Sequence, residues 1–343
     1  LFTEEISLCF HMRSILTKGV MMMEIHEMIK KITDENEIKS VYFVGCGASR
    51  SDLYPAYYFL NNNSKFLRTS IHTANEFVMA TPSAVDNTAV VITCSLGGNT
   101  PETVKATEHA KKCGANVIAV THEKDSPLTK AADYTVFHRW EDSYSSKMDK
   151  MIKVMKMAVE ILNNTEGYSN YVEINEGFDK SYGIIDEIVQ SVTIDAEEFA
   201  ERYKDTDILY VMSSGAMQEV AWSFSSCLMM EMQWIPSSTF NDGDFFHGPF
   251  EMVDKGVPYL LLINEGRTRN MDVRALDFLQ RFDAKYTIVD GKDFALANYF
   301  SKDIVDYFNP VILSSVIRVY AEKLAVVRKH PLTKRRYMWK LQY

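Results

Sequence analysis

The sequence predicts an α/β fold of two related lobes, each a mostly parallel, flavodoxin-like sheet flanked by helices. Three observations carry that expectation. Short β-branched apolar runs alternate with helical stretches along nearly the whole chain. The second half repeats the first. One loop in the first half, CSLGGNTPET, joins a strand to a helix through small hydroxyls and glycines, a combination that suits an anion.

The run at 41–44 (VYFV) reads as a buried strand, followed by GCGASRSD and a helix carrying Leu53, Tyr57 and Leu60. Pro55 lies in that helix and lacks an N–H, which places the helix start near Ser51 so that the gap falls in the first turn. Further strands are expected at 70–73, 89–93, 116–120 and 134–138, and alternation with helices implies a parallel sheet. In the loop after the third strand, Thr100 suits the N-cap, Pro101 the first helical position and Glu102 the positive end of the helix dipole. Val104, Thr107, Ala110 and Cys113 then recur at helical spacing, and Gly114 offers a left-handed stop. Residues 147–203 are helical and amphipathic, broken at NNTEGYSN.

The repeat is visible in two places. ILYV at 208–211 followed by MSSGAMQEV matches VYFV followed by GCGASRSDL at an offset of 167, and VPYLLLINEGRT at 257–268 matches AVVITCSLGGNT at an offset of 168. Gly98 and Thr100 fall on Gly266 and Thr268, whereas Ser95, Gly97 and Asn99 are replaced by Ile263, Glu265 and Arg267. The first lobe is therefore expected to keep the anion loop and the second to have lost it. The resulting organisation is a helical leader (1–40), a first lobe with the phosphate loop (41–165), connecting helices (166–205), a second lobe (206–325) and a tail packing on the site or a partner (326–343).

The 343 residues carry a net charge of −9, which argues against a nucleic-acid partner, although the tail KHPLTKRRYMWK is locally basic. No apolar run approaches the roughly 20 residues of a membrane span, and no secretory signal pattern is present. Five scattered cysteines without a CxxC pair suit the cytoplasm and offer no metal site; no cofactor is expected. The methionine-rich LMMEM and VMKMAVEIL read as core, and His72, His109, His122 and His138 have no partner pattern.

The paired lobes, GCGAS after the first strand and CSLGGNT after a later one resemble the sugar isomerase (SIS) domain family, which binds phosphosugars. The resemblance assigns phosphate binding to Ser49, Ser95, Asn99 and Thr100, with backbone from Gly47, Gly97 and Gly98. Gly97 stands where that family usually has a second serine, so a backbone N–H must replace a hydroxyl. A narrower resemblance lies in LMMEMQWIPSSTFNDGDFFHGPFEMVD and HPLTKRRYMWKLQY, which are similar to the double-SIS fructosamine 6-phosphate deglycase type, nearest to its fructose-asparagine branch. It implies catalysis by Glu231 and His247. Asp244 stands where those enzymes more often have glutamate. Independently of the resemblance, a carboxylate in an apolar helix such as Glu231 is a proton carrier whose pKa burial raises.

The expected activity is cleavage of 6-phosphorylated Amadori products, the fructose-asparagine compound foremost, to glucose 6-phosphate and the free amino acid. A homodimer is expected from the resemblance. His330, Lys334 and Arg335 are candidate substrate contacts, with Arg336 and Lys340 on the same basic segment. An aldose–ketose phosphosugar isomerase or a glucosamine 6-phosphate deaminase-like enzyme shares the proton transfer and stands as the alternative. A non-catalytic sugar-phosphate sensor is a third reading, and it has no need of Glu231. The 40 residues before Val41 are expected to be too few for a glutaminase or helix-turn-helix domain.

Overall fold

A computed structural model describes residues 23–342. The expected leader is covered from Met23 onward, and its first 22 residues, Cys9 among them, lie outside the described residues. The first sheet contains β1 (Ser40–Gly45), β2 (Arg68–Thr73), β3 (Ala89–Cys94), β4 (Asn116–Thr121) and β5 (Tyr134–Phe137) in the order β2-β1-β3-β4-β5, all parallel. The second contains β6 (Leu209–Ser213), β7 (Ser237–Asn241), β8 (Pro258–Ile263) and β9 (Lys285–Asp290) in the order β7-β6-β8-β9, also parallel. Strands β1, β3 and β8 are buried at every position, which is why they read as continuous apolar runs rather than alternating ones.

The helices are α1 (Ile25–Glu35), α2 (Gly47–Asn63), α3 (Ala74–Met79), α4 (Pro101–Lys112), α5 (Pro127–Ala131), α6 (Tyr144–Thr165), α7 (Tyr171–Ser191), α8 (Thr193–Tyr203), α9 (Gln218–Ser223), α10 (Arg269–Arg281) and α11 (Asn309–Val327). One apolar core runs through both lobes, from Phe43 and Ile92 past Met155 of α6 and Ile312 of α11 to Val211 and Leu260. Met155, Met157 and Met229 are buried in it, as expected, whereas Met230 of LMMEM is 42% exposed and is not core, because it faces away from the lobe.

Strand register fixes the duplication to the residue. Phe43 pairs with Ile71 on one side and Ile92 on the other. Val211 pairs with Thr239 and Leu260, each 168 positions further along than its counterpart. The first matched stretch therefore repeats at 168, not 167. The backbone shows why: Gly47 and Gly215 turn the chain out of β1 and β6 with φ of +54° and +57°, so Gly215, not Ser214, takes the place of Gly47.

Two local expectations meet different outcomes. Helix α4 ends as predicted: Gly114 has φ +90°, its N–H donates to Lys111, and the Ala115 N–H donates to Ala110, a Schellman stop. Helix α2, by contrast, starts at Gly47 rather than near Ser51, so Pro55 sits inside the helix and the bond it would have given to Ser51 is absent. The glycine lets the chain enter the helix directly from β1, and the Pro55 side chain is buried.

Candidate active site

A cavity of about 520 Å³ lies where the two lobes meet the C-terminal tail. Ser49 comes from the first turn of α2 and Leu96 from the loop after β3, Lys150 from α6, Glu219 and Glu231 from the second lobe, and Arg335 from the tail. Its size is that of a small-molecule site. Arg50 and Glu219 tie the lobes together beside it at 3.0 Å, and Ser51 donates to the same carboxylate at 3.1 Å.

Of the loop expected to hold an anion only Leu96 lines the cavity; Ser95, Gly97, Gly98, Asn99 and Thr100 do not. Gly98 has φ +62°, and a Cβ there would lie 2.2 Å from Ser126 Oγ, so both conformation and space demand glycine. Ser95 is buried and its hydroxyl shares a 2.9 Å hydrogen bond with Thr100 Oγ1. Because that hydroxyl faces Ser95, Thr100 caps α4 by position without bonding its first-turn N–H groups. Those N–H groups remain available to an anion. Ser49 and Leu96 line the cavity, Gly97 is half-buried, and Asn99 and Gly47 are exposed at the rim of their loops.

In the second lobe the equivalent loop holds its own carboxylates. Arg267 Nε donates to Asp306 at 2.9 Å, Asn264 Nδ2 donates to Asp272 at 2.6 Å, and Ser214 is hydrogen-bonded to Asp272. Protein side chains thus occupy the positions that an anion would take.

Glu231 stands on a ten-residue π-helix, Phe224–Gln233, rather than on an α-helix. The i→i+5 pattern turns less per residue, which keeps Cys227, Leu228, Glu231 and Met232 together on the cavity wall. Trp234 ends the segment in the left-handed conformation, φ 58°. Burial raises the Glu231 pKa and Arg335 opposes it, with a net rise above the ordinary carboxylate value. Arg335 Nη2 forms an ion pair with Glu231 Oε1 at 2.8 Å. The neighbouring Cys227 thiol is pushed up to about 12 by burial, so it stays protonated and is no nucleophile at neutral pH.

The structure places the other expected residues less uniformly. His247 closes a short 3-10 turn, Phe245–His247, is exposed, and lines neither cavity that contains Glu231. Asp244 precedes the same turn and is also exposed. His330 is buried edge-on against Trp234 with ring centroids 4.5 Å apart, and Lys334 lies over the same indole; neither lines a cavity with Glu231. Arg335 does. Sequence reasoning missed Lys147, Lys150, Asp52 and Arg318, which also line the site. Burial would strip Lys150 of its proton, but Asp52 at 2.6 Å more than offsets that and its pKa lies above the usual lysine value. The spacing of Lys147 and Lys150 in SYSSKMDKMIK, three apart on one helix face, was the available signal.

Two duplicated parallel-sheet lobes around one cavity, with a hydroxyl-and-glycine loop in one and a buried carboxylate in the other, define a double sugar-isomerase-domain protein. A SIS domain model matches residues 36–159. Fructosamine deglycase FrlB of Bacillus subtilis (strain 168) is 35% identical over 309 residues, spanning 89% of this chain and 93% of that protein. Fructoselysine 6-phosphate deglycase of Escherichia coli K12 is 22% identical over 91% of this chain and 88% of its own length. A crystal structure from Salmonella typhimurium LT2, described as a candidate phosphosugar isomerase, superposes with a TM-score of 0.90 at 37% identity, covering 96% of this chain and 99% of that one. The chain belongs to the SIS-domain family and is an enzyme of its fructosamine deglycase branch.

Proposed function

We propose that the enzyme hydrolyses 6-phosphorylated Amadori products, fructose-asparagine 6-phosphate among them, to glucose 6-phosphate and a free amino acid. One observation carries this reading: a single cavity joins the first-lobe loops, at Ser49 and Leu96, to the carboxylate of Glu231. Phosphate held at the loop positions the distant C1 and C2, so binding energy from a non-reacting group orients the reacting carbons. Glu231 takes a proton from C1 of the open-chain ketose, giving an enaminol. A proton returned to C2 gives the C1 aldimine. Water adds to C1 and the amine leaves, so one water is consumed for each glucose 6-phosphate and amino acid formed. A carboxylate with a raised pKa both accepts and returns a proton near neutral pH.

His247 opens the sugar ring in this scheme. Its exposure, and its absence from the walls of the Glu231 cavities, support a homodimer in which the histidine of one copy serves the carboxylate of the other. Among the described residues no helix is long and apolar enough to cross a membrane, in keeping with work on small cytoplasmic metabolites.

The test is glucose 6-phosphate release, followed by a coupled dehydrogenase, from fructose-asparagine 6-phosphate and fructoselysine 6-phosphate in parallel. Release from the first supports the reading in full. Release from the second alone replaces the substrate. Conversion of fructose 6-phosphate or glucosamine 6-phosphate instead moves the chain to isomerase or deaminase chemistry.

A further inference from the structure

Glu231 and Arg335 are the wall between two cavities. On one side is the inter-lobe cavity, which Ser49 and Leu96 of the first lobe line; on the other is a second, more open cavity of about 510 Å³. The second is lined by Met230, Trp234, Pro236, Arg336 and Tyr337 as well as by the ion pair itself. The order across the molecule is therefore phosphate loop, first cavity, Glu231–Arg335, second cavity. For a substrate anchored by its 6-phosphate with C1 at Glu231, the second cavity offers room on the far side of the ion pair for whatever C1 carries.

Arg335 is built to receive an anion there. Its side chain is only 7% exposed. Nη1 is anchored by the tail's own turn, donating to the Leu332 carbonyl at 2.6 Å and the Lys334 carbonyl at 3.0 Å. Nη2 meets Glu231 through one oxygen. Nε, which shares an edge of the guanidinium with Nη2, is buried and has no acceptor. An edge suited to two parallel hydrogen bonds with a carboxylate thus holds a single ion-pair contact, and its Nε has no acceptor. Because the carbonyl anchors do not involve Glu231, the guanidinium keeps its place when its carboxylate partner changes. Arg336 stacks on Trp234 with its guanidinium carbon 4.3 Å from the ring centroid, adding a second cation beside an apolar floor.

The geometry points to the second cavity as the seat of the substrate's amino-acid portion, with the α-carboxylate binding the Nε–Nη2 edge of Arg335 and taking that edge from Glu231. This rests on the deglycase reading. It adds a rule of selectivity: a C1 amine bearing a carboxylate releases the base from its ion pair, and a C1 amine without one leaves the pair closed. The exchange swaps one carboxylate for another at a fixed cation, so the guanidinium stays paired while Glu231, freed of it, holds a proton more readily.

The test compares kcat/KM for fructose-alanine 6-phosphate and for its decarboxylated analogue, 1-deoxy-1-ethylamino-fructose 6-phosphate. Wild-type enzyme is expected to favour the first by roughly 10- to 100-fold, the worth of a charged hydrogen-bonded contact. In Arg335→Gln the ratio collapses toward one, the loss on the carboxylate substrate appears mainly in KM, and the acid limb of the pH profile moves up for both substrates. Arg335→Lys keeps the charge without the fork and retains part of the ratio, which separates recognition from misfolding. An equal fractional loss on both substrates in Arg335→Gln, with the ratio preserved, overturns the inference and leaves the deglycase reading intact. No glucose 6-phosphate from either substrate, with fructose-asparagine 6-phosphate cleaved alongside, overturns the inference alone; none from that control or from fructoselysine 6-phosphate overturns the deglycase reading as well.

Discussion

Glu231 and Gly98 show how much a single position constrains this site. Gly98→Ala meets two penalties at once, a positive φ and Ser126 Oγ at 2.2 Å from the new Cβ. Strain of this kind costs about 1–3 kcal/mol. The variant is expected to melt earlier and to show a raised KM for any 6-phosphorylated substrate, both measurable by thermal denaturation and steady-state kinetics. Burial is the first cause of the raised Glu231 pKa, so the base must lose its proton above the usual carboxylate value of about 4.3. Activity that needs the carboxylate therefore falls as pH drops through that raised value, and kcat/KM against pH should show its acid limb above the ordinary range. At this scale the sequence was informative where chemistry is local. A carboxylate among LMM and MQW announced burial, and SLGGNT announced the loop. It was silent on Arg335 as the partner of Glu231, because a separation of 104 positions leaves no pattern that pairs a tail arginine with that particular carboxylate.

Among the elements, the strands were legible and the catalytic helix was not fully so. Buried parallel strands announce themselves as short β-branched runs, and β1, β3, β4 and β6 all fall within a residue or two of their expected bounds. The π-helix of Phe224–Gln233 has no sequence code separate from an amphipathic α-helix, since both are apolar runs and the difference lies in packing. Pro55 misled for a related reason: an interior proline normally breaks a helix, yet here tertiary burial retains it. Helices α2 and α6 are joined beneath the cavity by Asp52 and Lys150, 2.6 Å apart with the lysine side chain 5% exposed. Asp52→Asn leaves that charge buried alone and should destabilise the enzyme by about 3–5 kcal/mol. Chemical denaturation checks it, and the double variant Asp52→Asn/Lys150→Met should recover much of the loss.

Over the whole molecule, duplication explains both the architecture and the asymmetry of the site. The two sheets share strand order and a register offset of 168 residues, and the fifth strand, β5, belongs only to the first. With Asp272 of α10 and Asp306 hydrogen-bonded to the loop that follows β8, the second lobe does not duplicate the first-lobe loop and instead supplies the carboxylate on the π-helix. The sequence carried the duplication because each apolar run had to remain apolar to stay buried in a parallel sheet. It did not carry the relation of Glu231 to His247, which are 16 positions apart in the chain but do not line one cavity. If each site is shared between two copies, Glu231→Gln and His247→Asn preparations, each nearly inactive, should regain activity when co-refolded or mixed under subunit exchange. Activity that stays at the sum of the two variants would place both residues in one copy.

The central claim is that the Glu231 carboxylate moves the proton between C1 and C2. Glucose 6-phosphate release from fructose-asparagine 6-phosphate, measured side by side for wild-type enzyme and Glu231→Gln, tests it most directly. The account predicts a fall in kcat of roughly 10²- to 10⁴-fold with an unchanged melting profile, the range for loss of a general base. A Glu231→Gln enzyme that works at near the wild-type rate would contradict it.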